Sequence, residues 1–298
     1  MRNRRRTSAP WVWVVLVTLA AASPSPAGGV SLETLRQKVR ANEAKASLLR
    51  MEFECRTEFA GDDPTTPESI KKAIREKRGG HGRSTYAQDG HRYHKTSSTY
   101  EGAECVHAEI EVVDGKVRKR GRLPDLMEGW ITREDKFTWT DVEPIRFGFR
   151  PYDGRLLSAC LVPACACLRE ERVTVGDREA VCVEIQERDK PVHPLLLWID
   201  LERGLPLRSE SHYRSDSVES RTVVESTRFH QLPNGGWMPA EGIVKMHRIR
   251  EGFIFDLTLR YIVDVNSISI EKKDIPDSLF DIQFPPGARI QDATGGSP

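Results

Sequence analysis

The stretch FIFDLTLRYIVDV, residues 253–265, carries apolar side chains at every second position. Successive side chains of a β-strand point to opposite faces of the sheet. One face of this strand would therefore carry Phe253, Phe255, Leu257, Leu259, Tyr261, Val263 and Val265, whereas the other would carry Asp256, Thr258, Arg260 and Asp264. The stretch predicts a long strand in a curved sheet that has one buried and one solvated face.

Asx-Gly pairs separate several other strand-like segments. They stand at Asp89-Gly90, Asp114-Gly115 and Asn234-Gly235. Such pairs favour the tight turns of β-hairpins, because both central residues of these turns adopt positive φ. From residue 83 onward the sequence therefore predicts a meandering antiparallel sheet.

An amphipathic helix is predicted to precede the sheet. Ser31 can cap this helix, and its first apolar positions keep a spacing near 3.6 residues: Leu32, Leu35 and Val39. At Met51 the period changes to two, so that Met51 and Phe53 share one face of a half-buried strand. The predicted fold class is α+β, mainly antiparallel β.

The N-terminus has the pattern of a secretory signal peptide. Arginines at positions 2, 4, 5 and 6 precede the uncharged run Trp11–Ala22, which is shorter than the roughly 20 apolar residues of a spanning helix. We predict cleavage after Ala27, with retention as an N-terminal anchor as the alternative. The mature chain, residues 28–298, is then one domain that is periplasmic or extracellular. It has no cysteine near its N-terminus to take a lipid anchor.

The six cysteines of an exported chain are most simply disulfides, with pairings that the sequence leaves open. The alternative is zinc, but Cys165 and Cys167 lack the two-residue spacing of a zinc knuckle and have no histidine nearby. We therefore predict disulfides or buried thiols, and no metal site.

The chain contains no recognisable catalytic or nucleic-acid-binding pattern. His91 and His94 would point to opposite faces of a strand, and no phosphate loop, dinucleotide fingerprint or nucleophile elbow is present. Loss of four arginines with the signal peptide changes the formal charge from +1 to +1 − 4 = −3. We predict a monomeric protein that is not an enzyme, with no catalytic residues, no cofactor and no nucleic-acid partner.

The aromatic face of the 253–265 strand needs a cover. We predict that the opening helix supplies it, together with a possible insert around residues 124–167. This insert carries large aromatic residues that include Trp130, Trp139, Phe147 and Phe149.

Three short motifs in the second half of the chain resemble those of periplasmic lipoprotein carriers and sensors. They are Leu197-Trp-Ile-Asp200 leading to Gly204-Leu-Pro-Leu-Arg208, then Gly236-Trp-Met-Pro239, and finally Phe284-Pro-Pro-Gly-Ala288. With the helix and the antiparallel meander, they resemble the LolA/LolB/RseB-like family of outer-membrane lipoprotein-sorting proteins over roughly residues 31–292. The resemblance implies an unclosed β-barrel with helices covering its concave face.

The resemblance also implies an apolar cavity between sheet and helices that shelters lipid or lipoprotein acyl chains during transport. The predicted lining residues are Leu32, Leu35, Val39, Phe53, Phe253, Phe255, Leu257, Leu259 and Tyr261. Three alternatives stay open. The same residues can form a filled, dry core, the protein can be an RseB-like stress sensor that binds an envelope membrane protein, or an active site can be assembled from distant strands.

Overall fold

The computed structural model describes residues 29–59, 81–101, 103–114, 116–133, 144–150, 155–186, 194–215, 218–250 and 253–294. The predicted signal peptide lies outside these residues. The helices are α1 (Leu32–Lys45), α2 (Pro144–Phe149) and α3 (Leu157–Cys160), followed by two 3-10 helices, Lys272–Asp274 and Asp277–Phe280. The strands are β1 (Leu48–Phe59), β2 (His81–Asp89), β3 (Arg92–Glu101), β4 (Glu104–Val113), β5 (Val117–Arg122), β6 (Glu128–Arg133), β7 (Ala166–Val175), β8 (Arg178–Ile185), β9 (Leu195–Asp200), β10 (Pro206–Arg214), β11 (Val218–Gln231), β12 (Trp237–Arg250), β13 (Phe253–Ser269) and β14 (Arg289–Asp292).

The strands form one open sheet that consists of two meanders. The order is β14-β6-β5-β4-β3-β2-β1-β13-β12-β11-β10-β9-β8-β7, so β1–β6 are neighbours in sequence and so are β7–β13. The meanders meet where β1 pairs with β13, for example at Phe53 opposite Val263. All pairs are antiparallel except that of β14 with β6. The edges β14 and β7 do not pair with each other, and the α+β, unclosed half-barrel predicted from the sequence is confirmed.

Two of the predicted Asx-Gly turns are hairpin turns in the structure. Asp89-Gly90 joins β2 to β3 and Asn234-Gly235 joins β11 to β12, with φ of +62° at Gly90 and +76° at Gly235. At the third turn the Asp114 carboxylate accepts hydrogen bonds from the backbone N–H groups of Lys116 and Val117, both at 2.9 Å. These turns form because glycine and Asx residues tolerate the backbone that the hairpins require.

Helix α1 begins where the sequence predicts. The Ser31 hydroxyl accepts a hydrogen bond of 3.1 Å from the Thr34 N–H, which satisfies one of the free donors of the first turn. Leu35 and Val39 on the apolar stripe are buried, while Leu32 is half-buried. The stripe also contains a buried Asn42, which the sequence does not mark as a contact residue.

The sheet has two unequal faces. We call the face that α1, α2 and α3 cover the inner face, and the opposite one the outer face. The inner face of the second meander is apolar, and a large cluster joins α1 and α3 to β8 and β9: Leu35, Val39, Leu157, Cys160, Leu161, Ala166, Val181, Val183, Ile185, Leu195, Leu197 and Ile199. A second cluster lies below α2 and includes Met51, Phe53, Tyr86, Ile145, Phe149, Met238 and Val263.

The C-terminal part of the chain covers the outer face of the first meander. We call residues 271–284 the C-terminal strap. Its apolar residues pack on β2 to β4 in a third cluster: Ala87, Val112, Ile275, Phe280 and Ile282, with Leu48, Ile110, Leu126, Leu279 and Phe284 around them. The chain then continues into β14, which extends the sheet beyond β6.

The predicted disulfides are not confirmed. All six cysteines lie in the described residues, and none forms a disulfide. The strand register explains this for two of them, because Cys167 lies opposite Glu184 while Cys182 lies opposite Glu170 on one side and Trp198 on the other. Two cysteines that are not opposite each other in a ladder rarely reach the short Cβ separation that a disulfide needs.

The stretch around residues 124–167 contributes to the sheet as well as to its cover. Its described part contains β6, α2, α3 and the start of β7. The prediction that it is an insert therefore stays a prediction. Within the described residues, the helices are too short or too polar to cross a bilayer.

Candidate functional site

An apolar band crosses the inner face between β11 and β1. It consists of Val224 on β11, Val244 on β12, and Leu257 and Leu259 on β13, all at most 5% exposed. Cys55, Phe147 and Met246 pack around these residues. The alternation predicted for β13 is thus confirmed at Leu257, Leu259 and Tyr261, and the band is the strongest candidate for binding an apolar ligand.

Tyr261 lies at one end of this band, under helix α2. Its ring stacks on Phe147 with centroids 5.8 Å apart and an interplanar angle of 18°. The Tyr261 ring also lies over Gly242 of the neighbouring strand β12. A Cβ atom on Gly242 would be 2.5 Å from Tyr261 Cζ and 2.6 Å from Cε1. The close approach of ring and backbone therefore requires glycine at position 242.

The structure distributes the predicted lining residues over three neighbouring clusters. Leu257 and Leu259 lie in the apolar band, and Phe53 lies in the cluster below α2. Leu35 and Val39 pack on β8 and β9 instead, with Leu32 beside them. Phe253 and Phe255 occupy inner-face positions of β13, but their side chains lie outside the described residues. The helix expected to close the band therefore covers the adjacent part of the sheet.

Helix α1 is fixed to its own part of the sheet by hydrogen bonds. The Asn42 side chain donates to the Trp237 carbonyl at 2.9 Å and accepts from the Trp237 N–H at 2.7 Å. The Asn234 amide donates to the Lys45 carbonyl at 2.7 Å. Gly204, with φ of +66°, contacts the helix so closely that a Cβ would be 3.1 Å from the Lys38 carbonyl. Two of the motifs noted in the sequence thus position α1.

We expect Asn42→Ala to lower the free energy of unfolding by about 1 kcal/mol, because both backbone groups of Trp237 lose their partner while helix propensity improves slightly. Urea unfolding measures this change. Gln37→Ala, on the exposed side of the same helix, is the matched control and should change stability by less than about 0.5 kcal/mol. Equal effects of the two substitutions would contradict a role of Asn42 in docking the helix.

A second buried contact joins α1 to α3. The Ser158 N–H donates to the Glu43 carboxylate at 3.0 Å, and the Ser158 hydroxyl donates to its other oxygen. Burial raises the pKa of Glu43, although these hydrogen bonds oppose the shift. The sequence analysis missed both Asn42 and Glu43, because nothing in the local sequence identifies their partners, which are distant along the chain.

Helix α2 is the described element that covers the apolar band. Its six residues place Ile145 and Phe149 in the cluster below and Phe147 over Tyr261. Gly148 packs so closely on Pro239 that a Cβ would be 2.7 Å from the proline ring. The cover predicted from residues 124–167 is therefore found at Phe147 and Phe149. Trp130 lies on β6, where its indole N–H donates a hydrogen bond to the Gln291 side chain. Trp139 is outside the described residues.

The outer face of the second meander is charged. Glu210 accepts hydrogen bonds from Arg208 at 3.1 Å and Arg221 at 2.9 Å, and contacts His212 at 2.7 Å. Burial opposes ionisation of Glu210, but these hydrogen bonds outweigh it and hold its pKa below the ordinary value. Depressions of about 370 to 550 Å³ on this face are lined largely by such ion-paired side chains. This face suits polar contacts with another molecule.

The described residues contain no group of three or more His, Cys, Asp or Glu side chains placed to hold a metal ion. His91 lies in the β2–β3 turn, whereas His94 is buried on β3. Absence of catalysis and of cofactors stays a prediction.

Fold and site together define an open antiparallel half-barrel with an apolar inner face below short helices. No family model matches the chain, and no curated protein does. Among solved structures, it is similar to a domain named for outer membrane lipoprotein sorting from Vibrio parahaemolyticus, at 10% identity and a TM-score of 0.49, over 84% of this chain and 99% of that one. It is also similar to a DUF1329 family protein from Desulfovibrio piger, at 11% identity and a TM-score of 0.42, over 84% and 97%.

A third similar structure is the MucA/MucB complex of Pseudomonas aeruginosa, at 13% identity and a TM-score of 0.24, over 79% of this chain and 98% of that one.

Proposed function

We propose that this protein binds the acyl chains of a lipid or lipoprotein between the inner face and helix α2, and carries them through the cell envelope. One observation supports this most directly. The apolar band of β11–β13 has Phe147, from a six-residue helix, as its cover, whereas the long helix α1 is hydrogen-bonded to a different part of the sheet. In this proposal α2 moves away from the band while α1 stays in place.

In this proposal the acyl chain displaces Phe147 and lies along Leu257 and Leu259 on the inner face. Burial of the chain is favourable by about 0.8 kcal/mol for each CH₂ group. Tyr261 limits the site at one end, because its ring already packs against the backbone of Gly242 and cannot move closer to the sheet. Return of α2 onto Tyr261 would then accompany release of the ligand.

The proposal places the protein outside the cytoplasm. This location is supported by the signal-peptide pattern of the sequence, which has positive residues before Trp11–Ala22 and small residues before the proposed cleavage site at Ala27. The mature chain would act as a monomer, and the acyl-bearing molecule would be its partner.

A second candidate function is that of a sensor that binds the ectodomain of an envelope membrane protein. The charged outer face favours it, because Arg221 and Lys245 are exposed there and Arg208 is half-buried, all three around carboxylates that they pair with. Charged surfaces of this kind contribute to the choice of partner and to the rate of association more than to affinity.

Native mass spectrometry of the mature protein from a periplasmic preparation, with denaturing lipid extraction, tests the carrier proposal. We expect a bound acyl species in the wild type. Val244→Phe fills the apolar band and should abolish binding. Val183→Phe is the matched control, because it makes the same change at a buried valine of the inner face under α1. Both substitutions overpack the interior and cost about 1–3 kcal/mol, so folding is checked by circular dichroism.

Each outcome decides between the two candidates. Loss of the ligand in Val244→Phe alone supports a site in the apolar band. Equal loss in both variants would mean that destabilisation is the cause and that the site is misplaced. A wild type that carries no acyl species, and takes up no added lipid or lipopeptide, would exclude the carrier and favour the sensor.

A further inference from the structure

The C-terminal strap covers a buried histidine on the outer face. His94 lies on β3, between Ala87 on β2 and Val112 on β4, and is 8% exposed. The second 3-10 helix of the strap packs on β3 and β4, and Ile275 and Phe280 join the same apolar cluster as Ala87 and Val112. His94 therefore lies in the apolar floor on which the strap is docked.

The position is unfavourable for a charged imidazole. Among the described residues the His94 Nδ1 atom is buried without a hydrogen-bond partner. Burial lowers the pKa of His94, and the positive charge of Arg50 lowers it further. Arg50 in turn donates a hydrogen bond of 3.3 Å to the carbonyl of Asp274 in the strap. Protonation of His94 would thus place a second, unsolvated cation next to Arg50.

Ion pairs hold the two ends of the strap to the sheet around this floor. Asp277 contacts Arg92 at 2.8 Å and Lys272 at 2.9 Å, while Lys272 also bonds to Asp89 at 2.8 Å. Lys119 on β5 contacts Asp281 at 2.7 Å. The elements around His94 carry these charged groups on the outer face: Arg50 on β1, Asp89 on β2, Arg92 on β3, Lys119 on β5, and Glu271, Lys272, Lys273, Asp274, Asp277 and Asp281 of the strap. On β4 the residues that face the strap are apolar, namely Ile110 and Val112.

We propose that protonation of His94 in mildly acidic surroundings releases the C-terminal strap from the outer face and exposes the apolar floor of β2–β4. The strap is then a pH-sensitive cover on the face opposite the proposed acyl site. The inference is independent of the lipid-binding proposal, since it uses only the outer face.

The direction of the pH dependence follows from the pKa of His94 in the docked and the released state of the strap. His94 in the docked state has a lowered pKa, and in the released state it regains the ordinary value of about 6.5. Docking is therefore fully favourable above about pH 6.5 and weakens as the pH falls from there to the pKa of the docked state. The ion pairs lower the pKa values of Asp89, Asp277 and Asp281, so these carboxylates stay charged throughout that range.

Hydrogen–deuterium exchange of the strap amides at pH 7.5 and pH 5.5, expressed as protection factors corrected for the intrinsic rate, tests the proposal. We expect protection of the strap to fall about tenfold in the wild type, since each pH unit inside the window changes the docking equilibrium up to tenfold. His94→Leu should remove this dependence. His91→Gln, at the neighbouring turn, is the matched control and should keep it. His94→Gln provides a second neutral residue if the leucine variant folds poorly.

Amides of β12 and β13 serve as the internal reference. If they lose protection together with the strap, the acid effect is global unfolding and the proposal is wrong. Unchanged strap protection in the wild type, or a pH dependence that survives in both His94 variants, would also overturn it.

Discussion

Asp200→Ala is expected to lower the free energy of unfolding by about 3 kcal/mol, the largest effect of a single substitution that we predict. Asp200 is 1% exposed and accepts backbone hydrogen bonds from Glu202 at 2.7 Å and Arg203 at 3.1 Å. Its other oxygen accepts bonds from Arg178 and Arg203, both at 3.3 Å. Removal of one member of a buried charge pair leaves the other poorly solvated, which accounts for the size of the effect.

Loss of Asp200 should also release the Arg203 guanidinium. That group lies 4.3 Å from the centre of the Trp237 ring and 5.2 Å from that of Phe229, and it joins the 200–204 loop to the turn that docks α1. Chemical denaturation measures the stability, and tryptophan fluorescence reports on Trp237. Glu202→Ala is the matched control, since Glu202 contacts Arg178 at 3.6 Å but is 75% exposed. Similar losses in the two variants would refute the central role of Asp200.

Gly242→Ala is expected to destabilise the protein by about 1–3 kcal/mol, because the new methyl group overlaps the Tyr261 ring. The ring cannot move away easily, since Tyr261 is fully buried and stacked under Phe147. The clash should therefore push on α2, and we expect faster proteolysis at that helix.

A double-mutant cycle isolates this contact. Tyr261→Leu removes the overlapping atoms, so Gly242→Ala should cost at least about 1 kcal/mol less in that background than in the wild type. Gly82→Ala is the control for glycine replacement in a strand, because its Cβ would meet nothing closer than a carbonyl oxygen at 3.5 Å. Additive effects of Gly242→Ala and Tyr261→Leu would show that the ring and the backbone are not in the contact described.

Local patterns were sufficient to predict two of the strands, β1 and β13, the Asx-Gly turns and the first helix. The alternation of residues 253–265 predicts the buried face of β13, and Ser31 predicts the start of α1, because both depend on neighbouring residues alone. The stripe of Leu35 and Val39 predicts that α1 packs on the sheet but not where. Its location on β8 and β9 follows from contacts with Gly204 and Trp237, which are distant in sequence.

The candidate site was only partly predictable for the same reason. Leu257 and Leu259 carry a local signal, because they are large apolar residues in an alternating strand, and Phe147 carries one because it is a large aromatic residue between Ile145 and Phe149. Gly242 carries none, since only the register of β12 with β13 places it beneath Tyr261. The disulfide prediction depended on the number of cysteines, but the ladder decides which of them can meet, and it places Cys167 opposite a glutamate.

The join between the two meanders has a consequence for how the chain is made. Within each meander every strand pairs with its neighbour in sequence, so each can form by short-range closure. The pair β1–β13 is different, because it needs a strand from near the start of the described chain and the last long strand. Synthesis from the N-terminus thus delivers β1 long before its partner, and until then the centre of the future sheet is an open edge. We expect β1 to be the segment of the nascent chain that chaperones protect longest, and its pairing with β13 to be the slow step of folding.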